Sequence, residues 1–236
     1  MINSFLLIGQ SNMAGRGSLQ EVDLIENKDI FMFRDSQWIT AKEPLHTDKP
    51  TLAGIGLGMS FAETLQRKMD KKIGLIPCAF GGTSLSEWQK GGRLYSNAVT
   101  ETIEALKNSR LKGILWHQGE SDADSLETAE GYKERFMPFI DSLLTDIGIS
   151  NIPIIIGELG EFLVKNGEGC LYSHIVNEQL KDSCSGNENF AFVSGKGLTD
   201  NGDFLHYNAK SLREFGIRYA NVWEKCSQHM GVALEF

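Results

Sequence analysis

Two segments of the chain are best suited to chemistry: a serine set among small polar residues, Gly9-Gln10-Ser11-Asn12-Met13-Ala14-Gly15, and an aspartate three residues ahead of a histidine, Asp203-Phe204-Leu205-His206. A serine hydroxyl becomes a nucleophile when a nearby imidazole accepts its proton, and that imidazole serves best when a carboxylate fixes its tautomer and orientation. Three-residue spacing on a loop lets Asp203 reach His206 with only local folding. The glycines around Ser11 allow the tight turning that would lift its hydroxyl out of the chain. Taken by itself, the first segment also fits a plain Ser/Asn turn or a helix N-cap.

Two further segments could complete such a site. In Gly81-Gly82-Thr83-Ser84 the adjacent glycines permit close backbone approach and leave N–H groups free to point into a cleft. In His117-Gln118-Gly119-Glu120-Ser121-Asp122 the Gln118 amide can donate towards a developing oxyanion. The same stretch also reads as a loop rich in capping groups, with Asp124 or Ser125 available to cap the next helix. Trp88, four residues past Ser84, fits either a sugar-stacking position or the core. Ser60 lies in Gly58-Met59-Ser60-Phe61-Ala62, close to the Gly-x-Ser-x-Gly elbow, but inside a helical pattern rather than at a strand-to-helix turn. His117 and Glu120 have no second histidine at helical spacing to suggest a metal. His46, His174 and His229 read as surface or internally satisfied histidines.

These segments need elements to position them. Apolar runs of strand length occur at 5–8, 73–78, 113–117, 152–157 and 190–193, and a small hairpin is expected over 30–40. Helical patterns separate them: 57–69, where Leu57, Phe61, Leu65 and Met69 recur every four residues, then 96–107, 127–144 and 208–226. Alternating strands and helices with continuous apolar strands imply a parallel sheet buried on both faces. The expected architecture is α/β, a three-layer α/β/α sandwich with a flavodoxin-like sheet, as one domain over residues 1–236. Ligands bind beyond the carboxyl ends of such strands, so the loops at 9–17, 79–92, 118–126, 157–170 and 194–206 are where a site belongs. All four chemical segments fall in them.

With 236 residues, 23 basic and 31 acidic, the chain carries a formal charge of −8. That balance argues against a nucleic-acid partner, which needs clustered Lys and Arg. Hydrophobic residues at 41% and charged residues at 23% fit an ordinary globular protein. No 18-residue apolar run exists, so no membrane span is expected. The apolar start lacks a basic segment and is short, which reads as a strand rather than a signal peptide, and the expected location is cytoplasmic. Cys78, Cys170, Cys184 and Cys226 are widely spaced and are expected as free thiols.

Gly-Gln-Ser-Asn-Met at 9–13, Gly-Gly-Thr-Ser at 81–84, His-Gln-Gly-Glu-Ser-Asp at 117–122 and Asp-x-x-His at 203–206 follow one another in this order. Together they resemble the SGNH hydrolase superfamily, specifically its sialic acid O-acetylesterase and acetylxylan esterase branch (carbohydrate esterase family six), from residue 4 to about residue 220. The resemblance implies Ser11 as nucleophile, His206 as general base and Asp203 as its orienting acid. It makes the Ser11 N–H, the Gly82 N–H and the Gln118 side chain the oxyanion donors. Gln10 stands where many superfamily members carry Asp, and Gln118 where they carry Asn. Glu120 is an alternative triad acid. The implied activity is removal of O-acetyl groups from a small-molecule or oligosaccharide ester, such as acetylated xylan fragments or acetylated sialic acid, without metal or organic cofactor. The competing expectation is a non-catalytic carbohydrate- or nucleotide-binding module on the same sheet. Oligomeric state is not encoded in these features.

Overall fold

The computed structural model describes residues 1–231. A seven-stranded sheet is built from β1 (Ile2–Gly9), β2 (Ile30–Arg34), β3 (Gln37–Thr40), β4 (Ile73–Pro77), β5 (Ser109–His117), β6 (Ile154–Gly157) and β7 (Phe190–Val193), in the order β3-β2-β4-β1-β5-β6-β7. All pairings are parallel except β2 with β3. The five strands β4-β1-β5-β6-β7 reproduce the flavodoxin order 2-1-3-4-5, and the expected hairpin extends the sheet beyond β4. Its two-residue turn, Asp35-Ser36, has positive φ at both positions (50° and 58°), the twist that matches flanking strands.

The helices are α1 (Ser11–Ala14), α2 (Gly58–Met69), α3 (Arg93–Leu106), α4 (Leu126–Glu130), α5 (Tyr132–Asp146), α6 (Ser173–Cys184) and α7 (Ala209–His229). The strands are apolar along their length because both faces are covered. On one face Phe5 meets Phe61 of α2 and Trp223 of α7 edge-on, at centroid distances of 4.8 and 5.1 Å. On the other, Trp116 packs against Trp88, Phe136 and Phe139. Each such fully buried large side chain contributes about 1.5–3 kcal/mol relative to exposure. Trp88 is completely buried in this layer, so it belongs to the core and not to a sugar-stacking surface.

The helix expected over 127–144 is two helices, α4 and α5, meeting at Gly131. Ser125 caps α4, accepting the Thr128 N–H at 3.2 Å. α6 has no counterpart in the sequence reading: only Val176 and Leu180 give it a buried apolar stripe, too thin to stand out as periodicity.

Register sets where the site can form. Leu7 pairs with Pro77 and Gly9 with His117, so the chains following β1, β4 and β5 leave the sheet at one level. Gly9 has φ 134°, and a Cβ there would collide with the His117 carbonyl oxygen. Only glycine lets β1 lie this close to β5 while turning into α1.

Between β3 and α2 runs an irregular segment, 41–57, that the sequence reading left unassigned. It carries His46, which is 4% exposed, and neither ring nitrogen has a hydrogen-bond partner among the described residues. This corrects the expectation of a surface or satisfied histidine. Burial lowers its pKa to about 4, against the pull of Asp48 upward and with that of Arg16 downward. Between the ordinary imidazole value and about pH 4, the unfolded chain therefore binds a proton that the native state refuses, and stability falls as pH falls through that window. The thermal midpoint should drop on acidification from pH 6.5 to 4, with a contribution from this residue of at most about 1.4 kcal/mol per pH unit. In His46→Leu that slope should flatten; an unchanged slope would assign the acid sensitivity to other groups.

Candidate active site

Ser11 opens α1 immediately beyond β1, and His206 lies on the loop that leads into α7. His206 Nε2 is 3.1 Å from Ser11 Oγ, and His206 Nδ1 is 2.7 Å from Asp203 Oδ2. The other Asp203 oxygen accepts the backbone N–H groups of Leu205 (2.9 Å) and His206 (2.8 Å), so the carboxylate is fixed by the same turn that carries the imidazole. Partial burial pushes the Asp203 carboxyl up, but these N–H groups and the imidazole outweigh it and hold it below the ordinary carboxylate range. It stays ionised wherever the neutral imidazole needs its partner.

The loop carrying this pair is tied at both ends. Asp200 Oδ2 accepts the N–H groups of Gly202 and Phe204, each at 2.8 Å, and the Asn201 N–H reaches the His206 carbonyl at 2.8 Å. Asn208 caps α7 by accepting the Ser211 N–H at 2.8 Å. Asn12, next to the nucleophile, donates to the Leu205 carbonyl (3.1 Å) and accepts the Tyr207 N–H (3.0 Å). The residues flanking His206 are thus strapped to the serine's own loop.

Glu120 is 2% exposed and does not reach His206. Its Oε1 accepts from Asn12 Nδ2 at 2.5 Å and lies 3.6 Å from His117 Nε2. Burial pushes its carboxyl up, and His117 with Asn12 overcomes that, so it is held below the usual carboxylate range. Of the two carboxylates considered for orienting His206, the geometry brings Asp203 to the ring and places Glu120 on Asn12.

Gln118 is not brought into the cleft. It is fully buried, and its NH₂ points at Asp122 Oδ2 (2.7 Å), the Thr83 carbonyl (3.0 Å) and Gln10 Oε1 (3.1 Å), while its oxygen accepts from Tyr132 Oη at 2.6 Å. An amide with both hydrogens engaged behind the loops has none left for an oxyanion. The sequence supplied the right donor type and not its direction.

Other donors face the cleft. The backbone N–H groups of Ser11 and Gly82 donate to no group among the described residues. Gln10, missed as a site residue, receives three donors on its oxygen, from Gln118 Nε2, Gly119 N–H and Ser121 N–H. Its NH₂ donates to no group among the described residues, and the residue lines the cleft. That cleft is about 330 Å³ and is bounded by Ser11, Arg16, Lys49, Gly82, Leu205 and His206 among others. Ser60, by contrast, is buried in α2 and donates to the Leu57 carbonyl at 3.1 Å, remote from any imidazole pairing. Among the described residues no group of three His, Cys, Asp or Glu side chains could hold a metal ion. What the arrangement can do is remove a proton from Ser11 and place N–H groups around an oxygen bonded to the atom that Ser11 attacks.

Comparison with known proteins gives the family. The family model for carbohydrate esterases, sialic acid-specific acetylesterase, matches residues 1–225. A probable carbohydrate esterase of Arabidopsis thaliana is 32% identical over 240 residues, covering 93% of this chain and 89% of the plant protein. The X-ray structure of that plant protein superposes with a TM-score of 0.86 at 31% identity, over 94% of this chain and 98% of its own. Two more distant structures share the fold: NanS, TM-score 0.76 at 17% identity over 96% and 97% of the two chains, and a carbohydrate acetylesterase from Xanthomonas citri, TM-score 0.69 at 19% identity over 99% of this chain and 57% of that one. A family match across residues 1–225, with a relative 32% identical over nearly the whole chain, places this protein in the carbohydrate esterase family of sialic acid-specific acetylesterases.

Proposed function

We propose that the protein is a serine esterase that removes O-acetyl groups from carbohydrate through an acyl-enzyme on Ser11. The observation that carries this reading is the chain of contacts from Ser11 Oγ to His206 to Asp203 at the floor of a cleft that also presents unengaged N–H groups. The family description, and the naming of the plant relative as a probable carbohydrate esterase, support a sugar acetate as substrate; acetylated sialic acid and acetylated xylan fragments are the two candidates to assay.

In this mechanism His206 Nε2 takes the Ser11 proton as Oγ bonds to the acetyl carbon. The N–H groups of Ser11 and Gly82, with Gln10 Nε2, receive the oxyanion, each such donor being worth roughly 2.7–4 kcal/mol. Collapse breaks the bond to the sugar oxygen, which leaves with the proton from His206 and yields acetyl-Ser11. Water then attacks with His206 again as base, and acetate departs as Ser11 regains its proton. Asp203 keeps Nδ1 protonated, so that the neutral ring presents its Nε2 lone pair at the start of each half-reaction and the imidazolium that follows is stabilised.

Two variants test the assignment. Ser11→Ala should lower kcat for 4-nitrophenyl acetate and for acetylated oligosaccharides by at least roughly 10⁴-fold. Its thermal midpoint should stay close to wild type, since one loop hydroxyl carries little packing. Retention of activity would move the nucleophile elsewhere. Asp203→Asn should lower kcat by up to roughly 10⁴-fold with KM little affected, because the amide would favour the wrong tautomer of His206. A loss below about tenfold would remove Asp203 from the role of orienting acid.

A further inference from the structure

Gly81 and Gly82 are consecutive, yet their N–H groups have opposite fates. The Gly81 N–H donates to Asp48 Oδ2 at 2.8 Å, while the Gly82 N–H is unengaged at the cleft, at a φ of 74°. Asp48 comes from the irregular segment before α2, which no motif singles out. Its carboxylate is gripped by Arg16, two residues beyond α1 on the nucleophile's own loop: Nη2 donates to Oδ2 at 2.6 Å and Nη1 to Oδ1 at 3.4 Å. Arg16 Nη1 also donates to the Gly15 carbonyl at 2.8 Å. The two side chains are 6% and 2% exposed. The guanidinium lies so close to Gly81 that any Cβ there would strike it. Burial pushes the Asp48 carboxyl up, and Arg16 with the Gly81 N–H brings it below its ordinary value, so it is a charged acceptor.

We propose that Asp48, held by Arg16, is a positioning residue for the oxyanion hole: by taking the Gly81 N–H it fixes the Phe80–Gly81 peptide, the unit immediately ahead of the one that carries the Gly82 N–H, and so sets the direction in which that N–H meets the acetyl oxygen. The inference rests on the reading of Ser11 as an esterase nucleophile and extends it to two residues outside the triad. The same loop is held on its other side by the Phe80 N–H on the Gly9 carbonyl (3.0 Å) and by Gln118 on the Thr83 carbonyl (3.0 Å). Thr83 Oγ1 donates to the Phe80 carbonyl at 2.7 Å, so the Phe80–Gly81 peptide is held at both ends; without Asp48 only its carbonyl end stays anchored and its N–H end can tilt. A pre-set donor costs no reorganisation during reaction, whereas a mobile one does. The loss therefore falls on the transition state and not on ground-state binding.

The test is steady-state kinetics of Asp48→Ala, Asp48→Asn and Arg16→Lys on 4-nitrophenyl acetate, with affinity for phenylboronic acid, whose adduct with a serine mimics the tetrahedral intermediate. In Asp48→Ala kcat should fall roughly 10²–10³-fold, the scale of one oxyanion donor, with KM within about threefold and boronate affinity falling in parallel. Asp48→Asn keeps an oxygen that can accept the Gly81 N–H and should recover most of this, leaving a deficit of roughly tenfold for the lost charge assistance. Arg16→Lys should fall between the two. If Asp48→Ala does not fold, the Asn and Lys variants decide by the same split. A rise in KM at unchanged kcat would make the pair a substrate-binding group and overturn the inference. So would kcat within about threefold of wild type in Asp48→Asn and Arg16→Lys alike. A wild-type protein whose ester hydrolysis survives Ser11→Ala would instead remove the underlying reading, which the wild-type and Ser11→Ala controls reveal separately.

Discussion

The side-chain amide of Gln118 is fully buried beneath the site, and its hydrogens and oxygen are shared among Gln10, Thr83, Asp122 and Tyr132. An unpaired buried amide would cost several kcal/mol, so the arrangement persists only while all four segments stay in place. Those segments are the loops after β1, β4 and β5, together with the start of α5. Asp122 widens the tie by accepting the Leu85 N–H (2.7 Å) and Arg135 Nη1 (2.8 Å). Parallel strands whose chains leave the sheet at one level bring the loops together, and this buried amide locks them into a single relative placement.

Above that lock, each working group has its own local brace. Asp203 and His206 are fixed by one turn, and Asn12 straps the residues on either side of His206 to the serine loop. Glu120 in turn holds Asn12 and is itself set against His117. His117 Nδ1 lies 3.3 Å from Tyr219 Oη, which donates to the Trp116 carbonyl at 2.9 Å, so the polar chain runs from the site into the layer of α7. The outcome is a serine and an imidazole held at 3.1 Å by residues that mostly never touch substrate.

Much of this was legible from residue order. Continuous apolar runs such as Phe5-Leu6-Leu7-Ile8 and Ile154-Ile155-Ile156 announce strands covered on both faces, and all seven residues are fully buried. Ser11, Asp203 and His206 stand out because Asp–His pairing is local and the serine follows a strand. Direction was not legible. Gln118 and Gln10 both carry amides at strand ends, and only the packing of Tyr132 and Asp122 decides that the first turns inward while the second lines the cleft. Asp48 escaped notice because its segment has neither period nor motif and its partners, Arg16 and Gly81, lie far away in sequence, and nothing in that stretch marks His46 as buried. α6 escaped for lack of apolar contrast, and Trp88 offered no cue to distinguish a buried ring from a binding one until Trp116 was placed against it.

The central claim is that Ser11, activated by His206, is the nucleophile. Peptide mapping by mass spectrometry after reaction with a fluorophosphonate tests it most directly, because phosphonylation requires an activated serine facing oxyanion donors. One phosphonyl group per chain on the peptide containing Ser11, formed far more slowly in His206→Ala, is the result this account predicts. Modification at Ser60 or Ser84, or labelling of Ser11 at the same rate without His206, would contradict it.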